Sequence, residues 1–341
     1  MARVSVNILN TNEMRFLPRC VDAVLNQSYR DFQCVVIDNG SSDGSPEWVA
    51  AERPGVRLIR NNENMWYCGG HNIGIRNTDS ELILLLNSDV FIAPDFLEHM
   101  IRALDADPRC GGTQGKLWKI FDGSAEPPPP EQRFIDTTGI LMTRSRRNFD
   151  RFQEARDDGR FDTPGDVFGP DGSAPLYRRA MLEDIALDGE YFDASFKIYR
   201  DVVDLSWRAR SRGWTFRYVP EATGYHVRGF SPRKRKKQPL FFRRLSYRNR
   251  YLTLLKNETA GSLLPHFFRF AGFEILMLGH MLLREPALVS GWWDLIRLLP
   301  STWRKRRRIL SRATVSAREI TRSFQRVAPA LHRNRENVPG N

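Results

Sequence analysis

The chain has 341 residues, 41 % of them hydrophobic, which is enough to bury a core over two or three domains and excludes a disordered or fibrous protein. Its net charge of +12 conceals a split: residues 227–341 hold 25 Lys/Arg against 6 Asp/Glu, whereas residues 1–226 hold 27 against 34. Asymmetry on this scale predicts a mildly acidic working part followed by a basic part that meets an anionic surface. Cys20, Cys34, Cys68 and Cys110 have no C-x-x-C spacing, which predicts reduced thiols rather than a disulfide framework or zinc site. The opening M-A-R-V-S-V-N-I-L enters a strand directly, so no signal peptide is expected. No run reaches about 18 uncharged apolar residues, the length a spanning helix needs.

In chain order, a strand at 3–9 leads to a helix over about 14–28, in which Leu17, Val21, Val24 and Leu25 recur at helical spacing. A strand at 33–37 leads through N-G-S-S-D-G-S to a helix from about Pro46. A third strand, 56–60, precedes a Gly-rich stretch at 62–75; a fourth, 82–86, precedes a helix at about 94–105. This alternation predicts an α/β fold with a mostly parallel sheet covered by helices on both faces. Between 122 and 170 loop chemistry dominates, with short strands expected around 138–142. A helix at about 200–212 ends at Gly213, and W-T-F-R-Y-V-P forms a strand running on to G-Y-H-V-R-G.

Three of the early strands end abruptly in polar residues: N-T-N at 10–12, D-N-G at 38–40 and N-S-D at 87–89. Open α/β sheets bind ligands outside the carboxyl ends of their strands, so these ends define one polar crevice suited to a nucleotide and a hard cation. Asp89 reads as a cation ligand or as a helix cap, and His226, just after a strand, as a metal ligand or a structural histidine. Asp38 accepts from a ligand or closes an Asx-turn. Asp201 and Asp204 share a helix face; one is a candidate general base, or both neutralise Arg200, Arg208 and Arg210.

Taken together and in this order, V-S-V-N-I-L-N-T-N, L-N-Q-S-Y-R-D-F-Q-C-V-V-I-D-N-G-S-S-D-G-S, G-G-H-N-I-G-I, N-S-D, and Y-R-D-V-V-D-L-S-W-R-A-R-S-R-G-W followed by G-Y-H resemble the family 2 glycosyltransferases of GT-A fold, in their bacterial rhamnosyltransferase-like branch. The resemblance covers roughly residues 3–230, leaving 231–341 as a basic helical extension. It implies Asp38 against a nucleotide base, Asn10, Thr11, Asn12 and Asn72 lining the nucleotide pocket, and N-S-D at the D-x-D position. There Asp89 is the principal ligand of Mn²⁺ or Mg²⁺, Asn87 replaces the first acid beside Ser88, and His226 completes the metal site. The chain departs from the family's E-D-x-D-L at one position: the usual base falls on Val202, which cannot take a proton. Asp201 is the expected substitute, at a helix start whose dipole would hold it ionised. Asp204 is expected to act mainly as an ion-pair partner.

The implied function is inverting transfer of a sugar, rhamnose among the candidates, from a nucleotide diphosphate donor to a hydroxyl of a lipid-linked or other cell-envelope acceptor. Val202 motivates the alternative of a non-catalytic nucleotide-sugar-binding or scaffold protein. A nucleotidyltransferase would want a Gly/Arg/Lys-rich phosphate loop after the first strand, where N-T-N-E-M-R offers none. Residues 231–256 contain ten Lys/Arg and no acid, interleaved with aromatics. Residues 263–284 gather Arg269, His280, His266, Arg284 and Glu274 into a sector of roughly 140° on a helical wheel at about 100° per residue. That pattern suits a helix lying in a membrane interface, and so a cytoplasmic protein peripheral on the inner face of the membrane. The competing readings are a hairpin packed on the catalytic part and, with no recognition module present, nucleic-acid binding.

Overall fold

The computed structural model describes residues 1–121, 127–228 and 238–325; the polybasic run Arg233–Lys237 lies outside them. The chain runs β1 (Val4–Asn10), α1 (Leu17–Leu25), β2 (Phe32–Asn39), α2 (Ser45–Glu52), β3 (Arg57–Asn61), α3 (Trp66–Arg76), β4 (Leu82–Asn87), β5 (Val90–Ile92), α4 (Phe96–Asp105) and β6 (Cys110–Lys119). There follow β7 (Ile135–Thr137), β8 (Ile140–Met142), β9 (Asn148–Asp150), β10 (Gly165–Asp166), β11 (Leu176–Arg178), α5 (Arg179–Ile185), α6 (Asp201–Ser211) and β12 (Thr215–His226). The C-terminal helices are α7 (Leu240–Asn257), α8 (Ala260–Leu263), α9 (Phe267–Arg284), α10 (Ser290–Ser311) and α11 (Ala317–Arg322).

The main sheet has the order β10-β12-β6-β11-β4-β1-β2-β3. Its parallel half is β4-β1-β2-β3, as the strand–helix alternation predicts. β11 enters antiparallel between β4 and β6, while β6 and β12 run parallel to each other, so the sheet as a whole is mixed. The apolar run of β4 is buried on both faces. Leu82, Leu84 and Leu86 join Val21, Phe96 and Met100 in one core, and Ile83 and Leu85 join Ile75, Leu205 and Leu252 in the other. All four cysteines are buried and unpaired.

Two expectations need correcting. The first helix begins at Leu17, not near 14, with Pro18 in its first turn, and ends at Leu25. β6 was not anticipated at all, because C-G-G-T-Q-G-K-L-W-K lacks the β-branched pattern of a strand. Its glycines are a packing requirement: a Cβ on Gly115 would stand 2.5 Å from both the Ala222 carbonyl oxygen and Phe96 Cε2. β6, β12 and α4 therefore meet without room for a side chain. Gly115→Ala is expected to cost about 1–3 kcal/mol by overpacking, measured as a lower denaturation midpoint; unchanged stability would contradict this packing.

Candidate active site

The register places the polar strand ends side by side: Asn10 pairs with Asp38, and Leu9 with Asn87. At the β1–β2 end, Asn10 Nδ2 donates to Asp38 Oδ1 (3.2 Å), Ser41 Oγ (3.1 Å) and Ser45 Oγ (2.8 Å), and the Ser41 amide donates to Asp38 Oδ2 (3.1 Å). Asp38 thus closes the turn after β2, with both oxygens engaged once and further lone pairs open. Asn12, held at φ 55°, accepts from the Ser42 amide (2.8 Å), and Thr11 stands half-buried between them. Asn72 is used differently from its neighbours: its amide clamps the 191–192 backbone, donating to Phe192 O and accepting from the Tyr191 and Phe192 amides at 2.7–3.1 Å. That fully engaged amide is a structural tie within the buried side of the crevice. Asn87 lends its backbone carbonyl to Cys20 Sγ and its amide to Ser173 O, and Ser88 is buried beside it.

Asp89 is not the solitary buried carboxylate that its apolar strand suggests. It lies in the two-residue turn between β4 and β5, is 20 % exposed, and faces His226 Nε2 at 3.4 Å. β12 brings His226 there by pairing antiparallel with β5. The other ring nitrogen, Nδ1, meets Asp136 Oδ2 at 2.8 Å. Burial opposes charge on this imidazole, but the Asp89 and Asp136 carboxylates prevail and push it up to about 10. Asp136, fully buried on β7, also binds Arg228 Nε at 3.1 Å, and the same guanidinium reaches Asp150 and Asp171. The 122–170 stretch therefore supplies two of the site's carboxylates.

A divalent cation fits this donor set only by displacing the proton that Asp89 and Asp136 favour on His226, since a histidine ligates through neutral imidazole. Asp89 and His226 are an oxygen and a nitrogen converging on one point, and Asp136 fixes the ring with Nε2 toward Asp89, as metal-ligating histidines usually are. Among the described residues no three His, Cys, Asp or Glu stand in metal-binding arrangement. With only two protein donors, the remaining positions of a bound cation would fall to ligand oxygens and water.

Asp201 opens α6 and is buried, with no ionic partner among the described residues, near Tyr67, whose hydroxyl donates to Gly172 O (2.8 Å). Burial pushes its carboxyl up to about 7, aided by Asp171 and Asp204 and opposed by the α6 amides. The expectation that the helix dipole keeps it ionised is corrected accordingly: desolvation outweighs the dipole. Val202 packs into the core beside it. Asp204, three residues on, lives in a different environment. It accepts from Arg208 Nε (3.0 Å), Lys256 Nζ (2.8 Å) and Asn257 Nδ2 (2.8 Å). Burial raises its carboxyl, but Lys256 and Arg208 hold it below the usual carboxylate range. Arg200, anticipated as a partner, instead reaches the Ser246 carbonyl and Asn148.

The approach to Asp201 is strained. Lys197, Tyr199 and Arg200 all have φ between 62° and 71°, and Trp66 has φ 59°. Such conformations cost energy and persist only when their surroundings impose them. Asn249 of α7 does so, its Nδ2 lying 2.9 Å from each of the Phe196, Ile198 and Tyr199 carbonyls. Sequence reasoning missed Asp136, Asp171, Arg228, Asn249 and Lys256. Only Arg228, two residues past His226 in G-Y-H-V-R-G, carried a local signal.

A family model described as glycosyl transferase family 2 matches residues 5–186, more than half of the chain. The chain belongs to that family. The match stops short of α6 and β12, so Asp201, Asp204 and His226 lie beyond it. The N-acetylglucosaminyl-diphospho-decaprenol L-rhamnosyltransferase of Mycobacterium tuberculosis is 26 % identical over 221 residues, covering 59 % of this chain and 68 % of that protein. The fold is that of GT-A enzymes. S. aureus TarS 1–349 in complex with UDP-GlcNAc superposes with a TM-score of 0.54 at 14 % identity, covering 91 % of this chain and 84 % of that one. GalNAc-T7 with UDP, GalNAc and Mn²⁺ gives 0.55 at 14 %, covering 74 % of this chain and 48 % of that one, about half its length.

The contrast between the two α6 acids is measurable in this family 2 glycosyltransferase. Asp204→Asn breaks a buried pair with Lys256 and is expected to cost about 3 kcal/mol, read as a lower denaturation midpoint. Asp201 has a raised folded pKa, so folding disfavours its ionised form, and the cost grows as pH rises from the ordinary carboxylate range and is complete above pH about 7. Asp201→Asn should therefore leave stability at pH 8 unchanged or higher. A loss comparable to that of Asp204→Asn would refute the difference in environment.

Proposed function

We propose that the protein is an inverting glycosyltransferase that moves a sugar from a nucleotide diphosphate donor to a hydroxyl of a lipid-linked acceptor. The observation carrying this reading is the Asp201 carboxylate, buried at the start of α6 and pushed up to about 7 by burial and by Asp171, which shares Arg228 with the Asp136 that holds His226 against Asp89. A general base works best with a pKa near the operating pH. The likeness to a rhamnosyltransferase named for a diphospho-decaprenol acceptor supports the lipid-linked acceptor, and structures holding UDP, UDP-GlcNAc or Mn²⁺ support a nucleotide donor and a cation.

Asn10, Asn12 and Asp38 line the donor end of the crevice, and Asp89 and His226 would hold the cation against the diphosphate. When bound, that cation would supply positive charge to the leaving diphosphate. The acceptor oxygen attacks the anomeric carbon from the face opposite the diphosphate, and the bonding pair of the breaking C–O bond leaves with the β-phosphate oxygen. Asp201 receives the hydroxyl proton as the new C–O bond forms. Arg228, held by three carboxylates, balances the negative charge gathered around His226. Val202 takes no part, since its side chain cannot accept a proton.

Asp201→Asn should lower kcat at least about a hundredfold with donor affinity nearly unchanged; wild-type turnover, or rescue of that variant by adding Val202→Asp, would move the base elsewhere. Because the base must be unprotonated, kcat/KM should rise with pH through about 7. A profile flat from pH 6 to 8 would remove Asp201 from the role. Asp89→Ala should abolish Mn²⁺-dependent donor binding, measured by calorimetry, while the melting temperature holds; undiminished binding would sink the cation assignment.

A further inference from the structure

The helical pair α9–α10 is built inside out for an aqueous protein. The inward side of α9 rests on α7: Met281 is buried with Tyr247 and Leu288, and Glu274 accepts from Arg250 and Tyr251 Oη. Its outward side is apolar. Phe268 is 88 % exposed, Leu283 82 %, Leu276 73 % and Ile275 70 %, and on α10 Trp293 is 67 % exposed, with Ile296, Leu299 and Trp303 also open. A contiguous apolar surface of this kind marks an interaction site. Among the described residues no helix is long and apolar enough to cross a membrane.

Charge selects the occupant. Between 260 and 311 the acids are Glu274, Glu285 and Asp294, and none is exposed; each is paired to an arginine of α7, namely Arg250, Arg243 and Arg244. The exposed ionic groups of the same stretch are cationic, with Arg269, Arg284, Arg297 and Arg307 bordering the apolar side chains. A second copy meeting this face isologously would set arginines against arginines. An anionic bilayer interface takes both parts at once, aliphatic and indole groups at the acyl boundary and guanidinium groups among the headgroups.

A chain of contacts links the face to the neighbourhood of Asp201. Arg243 and Arg244, which hold Glu285 and Asp294, follow directly on Phe241 and Phe242. These rings pack against Trp66, Phe241 tilted and Phe242 edge-on, with centroids 5.0 and 6.1 Å away, and Phe242 meets Tyr199, two residues before Asp201, at 6.1 Å. We propose that the exposed face of α9 and the first half of α10 seats the protein in the interface of an anionic bilayer, with its Leu282–Trp293 end beside the mouth that leads to Asp201. As a route for acceptor delivery this rests on the proposed transfer, but vesicle binding is read without turnover, so the two fail separately.

The test is sedimentation of the full chain with vesicles of phosphatidylglycerol and phosphatidylcholine, against phosphatidylcholine alone. The wild type should bind the anionic vesicles and lose that binding between 0.1 and 1 M salt, as the Debye length shrinks from about 10 to 3 Å. Ile275→Glu/Leu276→Glu/Leu283→Glu should lower the partition coefficient at least tenfold with an unchanged melting curve, and Leu283→Glu alone should act in the same direction. Arg269→Gln/Arg284→Gln/Arg297→Gln should lose the preference for anionic lipid. Wild type that ignores anionic vesicles, a triple Glu variant that binds as wild type does, or a stable dimer that the triple Glu variant dissolves would overturn the proposal.

Discussion

A single buried ammonium group ties α6 to the C-terminal helices. Lys256 Nζ sits 2.7 Å from Asp193 and 2.8 Å from Asp204, and Lys305 of α10 reaches Asp193 at 2.7 Å. Four charges with almost no access to water are tolerable only because each has an opposite partner at hydrogen-bond distance. Burial works against the Asp193 carboxylate, yet the two lysines hold it far below the usual range. The geometry is consequently stiff. α6 cannot rotate without separating Asp204 from Lys256, and Asp201 rides on that helix. The strained 197–200 segment is held by the same helix through Asn249, so α7 sets both the acid and its approach.

This dependence changes how the C-terminal third is to be understood. Its lysines and arginines read in the sequence as an electrostatic tail, and part of the charge is spent inward. Arg248 donates to the Ser195 carbonyl, Arg250 to the Arg146 carbonyl, and Lys256 to two carboxylates. What remains outward is a cationic border around an apolar face. The same stretch thus completes the crevice on one side and presents an unpartnered surface on the other, and α7 mediates between them.

The parallel half of the fold was legible because β1, β2 and β4 are continuous apolar runs that stop at polar residues, a pattern imposed by burial on both faces and a crevice at the carboxyl ends. Asp38, Asp89 and His226 could be singled out because strand ends carry them. Asp136 could not, since its meaning depends on β7 crossing to β6 and meeting a histidine ninety residues away. β6 was hidden because its glycines answer to Phe96 and Ala222, neighbours that no local pattern reveals. Lys256 looked like one more cation in a basic run, and only the fold distinguishes a buried ion-pair partner from a solvated one.

The two acids of α6 show why spacing alone misleads about chemistry. Three residues apart on one helix, they share a face and the same intrinsic acidity, yet Asp204 is driven acidic and Asp201 toward neutrality. The difference lies in what α7 offers each: a lysine and an asparagine to Asp204, no cation to Asp201. Pairing one acid and desolvating its neighbour is how a single helix can carry a permanent charge for structure and a titratable carboxyl for chemistry. Valine at 202 fits that division. A third carboxylate there would be desolvated in the core that Val202 packs into, with the Asp201 and Asp204 carboxylates adding like charge.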